Sequence, residues 1–349
     1  MRTRLNLTKI CLAISFILML SAFSGKTNTQ MKEMPIPTPT TEPYYSSARN
    51  EITEVMRTYG NIQEYYLSDS YWQRLETNIE RYGSTKKLLV LELHGDKYSM
   101  YDGNYEMTSE TFYNELDYLM SNNYHFVTIH ELYGFVNGWF QLPDRSIVLT
   151  SDTIGGQSRE SITRITKTFF DLERKHGYKP HMILFIWTQA MSPSESYRCK
   201  NDVCWQSFRD AINSQFFTIG THSQYHGNFS LMTENDTLSD LKKSITLIHD
   251  NLGINVYAIA WPLEACSPYE ESITKKLGIK IGFGELRRPL NMAYTYPNDD
   301  MPMCLPRLFP PNPDGYSGRP NGLTLQEMLN QAKTERHLDQ SKNQKYYPK

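Results

Sequence analysis

Two histidines and one aspartate are the residues of this chain whose types and spacing could bind a metal. His222 and His226 stand at positions i and i+4, which places both imidazoles on one face of a helical turn, within reach of one divalent ion. A third ligand is needed, and Asp152 offers a carboxylate in the segment Ser151-Asp152-Thr153. A metal centre therefore requires a fold that brings these two segments together.

Short apolar runs separated by amphipathic helical segments fill the chain from Lys87 onwards. The runs that indicate buried strands are Leu88 to Leu93, Phe126 to Ile129, Ser146 to Thr150, Met182 to Ile186, Thr218 to Gly220, Val256 to Ala260 and Ile279 to Gly282. Because strand and helix alternate, the strands are predicted to be parallel, and their number favours an α/β barrel. Active sites of such barrels lie at the carboxyl ends of strands, where His94, Asp152 and His222 are found.

Three segments resemble the motifs of the polysaccharide deacetylase family, whose members remove N-acetyl or O-acetyl groups from glycans. The segment from Leu142 to Asp152 is similar to the first motif, and the segment from Thr221 to His226 is similar to the His-Ser/Thr-x-x-His metal motif. The segment from Ala260 to Glu264 is similar to a third motif of the type aromatic-Pro-Tyr-Gly. The resemblance implies a distorted (β/α) barrel of the polysaccharide deacetylase type, preceded here by a helical extension.

Two further elements are similar to the branch of the family that acts on poly-N-acetylglucosamine. Leu93-His94 resembles the strand end that opens that branch, and Leu305-Pro306-Arg307 resembles a Pro-Arg element near its end. All of these segments follow the family's order between Leu88 and Arg307. Their combination is more specific than any single motif.

The resemblance implies metal-dependent hydrolysis of an acetyl amide, which is a C–N bond other than a peptide bond. His222 and His226 correspond to the ligands of a divalent metal, which is expected to be zinc, with nickel or cobalt as alternatives. Asp152 corresponds to the general base and His94 to the general acid. The backbone N–H of Leu263 corresponds to the donor that stabilises the oxyanion.

Three other positions correspond to residues that contact the substrate or orient the catalytic groups, namely Arg307, Trp261 and Pro262. An arginine beside a carboxylate keeps it ionised, so Arg307 either orients Asp152 or is an ordinary salt-bridge residue. His94 likewise either acts as an acid or only caps the end of a strand.

One position departs from the family pattern. The family motif reads Thr-Phe-Asp-Asp-Gly, with the second aspartate as a metal ligand, whereas this chain has Thr153 there. A neutral hydroxyl offsets the charge of a metal less well than a carboxylate, which predicts weaker metal binding. Either Asp152 turns towards the metal and is lost as a base, or an acid among Asp96, Glu92 and Glu264 contributes, although such acids are more often ion-paired or exposed.

The N-terminus has the features of an export signal. Basic residues precede an apolar run from Ile10 to Phe23, which is shorter than the roughly 20 residues of a membrane span. We expect a signal peptide over 1–24, and then a Pro/Thr-rich linker over 25–48. A helical extension over 49–86, the barrel over 87–312 and a C-terminal helix with a polar tail over 313–349 complete the predicted organisation. The protein is expected to be secreted, periplasmic or bound to the cell envelope, and to contact the membrane only through an uncleaved signal segment.

Four cysteines follow the signal segment, and an even number in an exported chain predicts two disulfides. Cys199 and Cys204 enclose a short polar loop and are therefore predicted to pair. By elimination, Cys266 is predicted to pair with Cys304.

The composition excludes one class of partner and leaves two functions. A net charge of −2 and a pI near 6.5 provide no broad basic surface for nucleic acid. The first function is an exported deacetylase of an N-acetylated polysaccharide such as poly-N-acetylglucosamine, peptidoglycan or a chitin-like chain. The alternative is a catalytically inactive glycan-binding protein that keeps the same cleft. The two functions differ in whether the protein binds a divalent metal.

Overall fold

Seven short strands form one parallel sheet within the residues that the structure describes. The computed structural model describes residues 44–93, 109–153, 158–191, 202–284 and 294–308, together with positions 325, 326 and 329. The strands are β1 (Leu89–Leu93), β2 (His125–Phe126), β3 (Ser146–Thr153), β4 (Met182–Ile186), β5 (Phe217–Thr221), β6 (Ala258–Ala260) and β7 (Ile281–Phe283). The sheet order is β1-β3-β4-β5-β6-β7, and β2 pairs with the first residues of β3. This is the predicted α/β fold with a parallel sheet.

Helices flank the strands in the predicted alternation. The α-helices are α1 (Tyr44–Thr58), α2 (Asp69–Tyr82), α3 (Ser109–Ser121), α4 (Ile129–Val136), α5 (Ser158–His176), α6 (Val203–Ser214), α7 (Glu234–Leu252) and α8 (Glu270–Leu277). Short 3-10 turns span Glu64–Leu67, Thr188–Met191, Phe229–Leu231 and Pro262–Glu264.

The predicted strand from Phe126 to Ile129 is wrong in extent, because a helix cap interrupts it. β2 ends at Phe126, and α4 begins at Ile129. The Thr128 side chain accepts a hydrogen bond from the Glu131 amide, and the Glu131 carboxylate accepts one from the Thr128 amide. This reciprocal capping box satisfies two free amides of the first helical turn and overrides the strand propensity of Val127 and Ile129.

An extended segment after β7 closes the sheet into a distorted barrel. On one side, the Leu305 amide donates to the Gly282 carbonyl, and the Gly284 amide donates to the Leu305 carbonyl. On the other side, the Leu308 amide donates to Val90, and the Glu92 amide donates to the Leu308 carbonyl. Residues 305–308 therefore lie between the last strand and the first, which removes both open edges along this stretch.

The two faces of the strands divide the apolar residues into an inner and an outer core. Alternate side chains of a strand point to opposite faces of the sheet. Inner-core strand residues include Val90, Val148, Ile183, Phe185, Ala258, Ala260, Ile281 and Phe283. Outer-core strand residues, which pack against the helices, include Leu89, Leu91, Ile147, Leu149, Met182, Leu184, Phe217 and Ile219. Gly220 lies on the inner face, where an added Cβ would stand 2.4 Å from the ring of Phe185.

The N-terminal helices belong to the inner core and cover the amino-terminal ends of the strands. α1 begins at Tyr44 rather than at residue 49, because Tyr45, Ala48, Ile52 and Met56 form one buried helical face. The loop before α2 reaches the same end of the barrel, where the Gln63 side chain donates to the carbonyl of Phe217, the first residue of β5.

Some of the predicted segments lie outside the described ranges. The proposed signal peptide, most of the linker and most of the C-terminal tail are among them, although Leu325 and Leu329 are buried in the outer core. In the part of the chain that is described, no helix is long and apolar enough to cross a membrane.

The predicted disulfide between Cys266 and Cys304 is confirmed. Cys204 is also disulfide-bonded, but its predicted partner Cys199 lies outside the described residues. The Cys266–Cys304 bridge joins the loop after β6 to the segment that closes the barrel, across a sequence separation of 38.

Replacing both Cys266 and Cys304 by serine should lower the free energy of unfolding by about 4 kcal/mol, because the closed loop no longer restricts the unfolded chain. Urea unfolding of the wild type and the variant measures this difference. Addition of a reductant under unfolding conditions should abolish the difference between the two proteins, because the reductant breaks the Cys266–Cys304 bridge of the wild type and the disulfide of Cys204 in both. Equal stability of the two proteins in the oxidised state would contradict the prediction.

A buried histidine in α4 makes stability depend on pH. Both ring nitrogens of His130 lack a hydrogen-bond partner among the described residues, and the ring meets that of Tyr257 edge-on. Burial lowers the pKa of His130 to about 4 from 6.5. On acidification the unfolded chain takes up this proton first, so stability present above pH 6.5 is lost as the pH falls from 6.5 towards 4.

His130→Leu should therefore reduce the loss of stability between pH 6.5 and pH 4.5, with a slope smaller by up to about 1.4 kcal/mol per pH unit. At pH 7 the variant should be at least as stable as the wild type, since it buries no unpaired polar atoms. Urea titrations at several pH values test both statements. An unchanged slope would show that His130 is not the group responsible.

Candidate active site

The charged residues of the site lie on the inner face at the carboxyl ends of the strands. Glu92 follows Val90 by two residues in β1, and Asp152 follows Val148 by four in β3, so both side chains point into the barrel. His222 follows β5 directly and is held there by a hydrogen bond from its amide to the Ile186 carbonyl at 2.8 Å. Glu264 ends the 3-10 turn after β6.

Arg307, on the segment that closes the barrel, joins three of these acids. Its Nη1 and Nη2 donate to Asp152 Oδ1 and Oδ2 at 2.7 and 2.9 Å, which is a bidentate pair. Nη2 also lies 3.0 Å from Glu92 Oε1 and donates to Glu264 Oε1. The guanidinium is completely buried, so these contacts are shielded from water.

The electrostatics of this cluster follow from burial and from the unequal numbers of charges. Burial opposes the charge of Arg307, but Asp152, Glu264 and Glu92 outweigh it and raise the pKa of the guanidinium. Burial also raises the pKa of Glu92 well above its usual value; Arg307 opposes this shift, while Glu264 and Asp152 add to it. Glu92 is therefore a carboxyl group that takes up a proton readily, and Arg307 remains charged.

His222 and His226 do not lie on a helical turn, which corrects the prediction made from their spacing. β5 ends at Thr221, and the following loop has left-handed backbone angles at Ser223 (φ 71°) and His226 (φ 56°). The two imidazoles nevertheless come together, with ring centroids 4.8 Å apart. A sharply turning loop thus brings the rings together without the geometry of a helix.

The hydrogen bonds of His222 determine which of its nitrogens faces the acids. Nδ1 lies 2.9 Å from the carbonyl oxygen of Ala260, and this acceptor requires the proton to be on Nδ1. Nε2 is then unprotonated in the neutral ring and lies 3.5 Å from Asp152 Oδ2. Burial lowers the pKa of His222 to about 4 and also lowers the pKa of His226, so both imidazoles are neutral near pH 7.

These donors have the chemistry of a divalent metal site. A metal-binding histidine commonly donates its other ring N–H to a carbonyl or carboxylate, as His222 does to Ala260. The group formed by Glu92, Asp152 and Glu264 also has ligand atoms within 4.8 Å of one another. Arg307 contacts all three acids, however, and a permanent cation among them opposes a second cation. The side with His222, His226 and Asp152 Oδ2 is therefore the better match for a metal.

Three other predicted site residues, Trp261, Pro262 and Leu263, follow β6 and differ in how far they are buried. Trp261 is completely buried, where its Nε1 donates to the Met303 carbonyl at 2.7 Å and its ring packs against Phe229. Its contacts support the loop after β6, so Trp261 and the buried Pro262 are suited to orientation rather than to contact with substrate. Leu263 has a left-handed backbone (φ 59°) and an exposed side chain.

The structure gives no side-chain position for three of the predicted site residues. His94 and Asp96 are outside the described ranges, and only the backbone of Thr153 is described, at the end of β3.

Asp240 is a buried residue of this region that no sequence pattern indicates. Asp240 lies in α7 and accepts hydrogen bonds from the amides of Gln224 and Tyr225. Both amides belong to the loop after β5 that carries His222 and His226. No motif marks this aspartate, because its partners are main-chain groups that any sequence provides. The sequence leaves Glu92 and Glu264 open as ligands or as ion-paired acids, and the structure shows the ion-paired arrangement.

Solved structures similar in fold to this chain include polysaccharide deacetylases. The Streptococcus pyogenes deacetylase PplD in complex with acetate has a TM-score of 0.53 at 15% identity, covering 70% of this chain and 97% of that one. IcaB from Ammonifex degensii has a TM-score of 0.51 at 20% identity, covering 66% and 94%. A polysaccharide deacetylase from Bacillus cereus has a TM-score of 0.53 at 15% identity, covering 71% and 69%.

No protein-family model matches the chain, and no curated protein matches it in sequence. The similarity to the solved structures nevertheless shows that the chain has the (β/α) barrel fold of polysaccharide deacetylases, as predicted.

Replacing Arg307 by methionine should lower the free energy of unfolding at pH 7 by about 3–5 kcal/mol, because buried carboxylates lose their counter-charge. The matched control is Arg174→Met, which removes an exposed arginine paired with Asp171 and should cost less than about 1 kcal/mol. Urea unfolding at pH 7 and pH 5 measures both. The deficit of the Arg307 variant should shrink at pH 5 as the carboxyl groups take up protons, and a deficit as small as that of the control would contradict the prediction.

Proposed function

We propose that this protein is an exported, metal-dependent hydrolase that removes acetyl groups from an N-acetylated polysaccharide. The observation that carries the proposal is the arrangement of Asp152 and His222 in a deacetylase-type barrel. Asp152 is held by both nitrogens of Arg307, and its Oδ2 faces the unprotonated Nε2 of His222 at 3.5 Å. A fixed carboxylate beside two neutral imidazoles is suited to activating water.

His222 and His226 would hold the divalent ion, for which zinc is the first choice. When bound, such an ion acidifies water and polarises an acetyl carbonyl. Asp152, oriented by Arg307, accepts the proton of the attacking water. The Leu263 amide stabilises the oxyanion, and His94 donates a proton to the leaving amine. The left-handed turn at Leu263 and Glu264 supports this assignment, since backbone strain of this kind is frequent at functional sites.

Thr153 limits how well this site can bind a metal. Without a carboxylate at that position, His222 and His226 need a third ligand, and Asp152 Oδ2 is the carboxylate oxygen found near His222. If Asp152 serves as ligand, it is less available as a base. We infer that the metal is bound more weakly than in a site with two histidines and a dedicated aspartate.

Export is proposed from the N-terminal sequence and is supported by the Cys266–Cys304 disulfide, because disulfides persist in oxidising compartments. The alternative function is an inactive glycan-binding protein with the same cleft. Thr153 is the feature that favours this alternative, because it removes one expected ligand.

Metal content decides between the two functions. Protein purified without a histidine tag should contain zinc, nickel or cobalt in near-stoichiometric amount after incubation with the ion and removal of the excess. The His222→Ala/His226→Ala variant should contain none. Elemental analysis gives the content, and release of acetate from poly-N-acetylglucosamine gives the activity. Absence of metal from the wild type would favour the inactive glycan-binding protein.

Thr153→Asp should strengthen metal binding at least about tenfold, because it adds the missing carboxylate. Thr153→Asn is the matched control, since it has similar size and no charge. Isothermal titration with zinc compares the three proteins. If aspartate and asparagine had equal effects, the residue at 153 would not be near the metal.

A further inference from the structure

The loop that carries both histidines is organised around one buried carboxylate. Asp240, in α7, is buried, and its Oδ1 and Oδ2 accept hydrogen bonds from the amides of Gln224 and Tyr225 at 2.7 and 3.0 Å. These two amides lie between His222 and His226 in the sequence. Successive backbone amides that point at one anion form a compact anion-binding turn, which here is filled by a side chain of the same molecule.

The backbone of this loop would not adopt its shape without such support. Ser223 and His226 both have left-handed angles, which are sterically disfavoured for residues other than glycine. The Ser223 side chain accepts a hydrogen bond from the His226 amide at 2.9 Å. Ser223 therefore closes the loop locally, whereas Asp240 ties it to α7.

The segment that follows β4 supplies further contacts to the same loop. The Thr188 and Gln189 amides donate to the carbonyls of Ser223 and Gln224, and the Trp187 side chain also donates to the Gln224 carbonyl. These bonds occupy the carbonyl groups of Ser223 and Gln224, whereas Asp240 accepts from the amides of Gln224 and Tyr225. Among the described residues, Asp240 is the ionisable group that accepts from these two amides.

We propose that Asp240 is a positioning residue that sets the separation of the His222 and His226 imidazoles for metal binding. It contacts neither imidazole and acts through the main chain between them. Charge-assisted hydrogen bonds from amides to a carboxylate are about twice as strong as neutral ones, so Asp240 offsets the strain at Ser223 and His226. The inference rests on the proposed function, because it assigns Asp240 a role in binding the same ion.

The test compares Asp240→Asn with a matched replacement elsewhere. Asparagine keeps the size of the side chain, but it loses the charge and can accept only one of the two amide bonds well. Glu131→Gln is the control, since Glu131 is also a buried carboxylate that accepts a main-chain amide, at Thr128, and it lies near the start of β3. Both variants are tested as full-length protein, with thermal unfolding as a measure of stability.

Two readouts separate a positioning role from a merely structural one. Zinc affinity, measured by titration calorimetry, should fall at least about tenfold in Asp240→Asn and remain within twofold of the wild type in Glu131→Gln. Hydrogen exchange of the Gln224 and Tyr225 amides in metal-free protein should become at least about tenfold faster in Asp240→Asn only. Unchanged zinc affinity in a folded Asp240→Asn protein would overturn the proposal.

Asp240→Glu provides a second variant that keeps the carboxylate on a longer side chain. Zinc affinity should decrease in the order wild type, Asp240→Glu, Asp240→Asn. If the asparagine variant does not fold, the comparison of Asp240→Glu with the wild type tests the proposal. Equal affinity of Asp240→Glu and the wild type would then count against the proposal. A wild-type protein that binds no zinc, nickel or cobalt would overturn the proposed function and this inference together, whereas metal binding that is insensitive to residue 240 overturns the inference alone.

Discussion

The buried guanidinium of Arg307 is the interaction on which this end of the molecule depends. It contacts Asp152 from β3, Glu92 from β1 and Glu264 from the turn after β6. Three carboxylates brought this close would repel one another strongly in a buried setting, so they require a counter-charge. Because Arg307 lies on the segment that closes the barrel, the same residue links the closure of the fold to the arrangement of the acids.

The site separates a cluster of charged side chains from a pair of neutral imidazoles. Arg307 and the acids form one side, where one guanidinium contacts three carboxyl groups. His222 and His226 form the other side, where burial keeps the imidazoles neutral. Asp152 belongs to both sides, through its two bonds to Arg307 and its approach to His222 Nε2. Asp152 Oδ2 and the unprotonated Nε2 of His222 meet at this boundary, and both are atoms of the types that bind divalent metals in proteins.

A Streptococcus pyogenes deacetylase and a Bacillus cereus polysaccharide deacetylase share the barrel with this chain at 15% identity. Such low identity leaves each catalytic group to be judged from its own surroundings. Thr153 is the position on which the proposed metal site depends most, since another carboxylate must complete the ligand set there.

The sequence by itself determined the class of fold, the alternation of strands and helices and the Cys266–Cys304 pairing, and it marked Asp152, Arg307 and the two histidines as candidate site residues. These features are visible because apolar periodicity, cysteine number and motif order are local properties of the chain. Only the tertiary structure decided that the histidines lie on a strained loop, that Arg307 binds three acids and that Asp240 holds the loop. Those contacts join residues far apart in sequence, often through main-chain amides, and no local pattern of residue types records them.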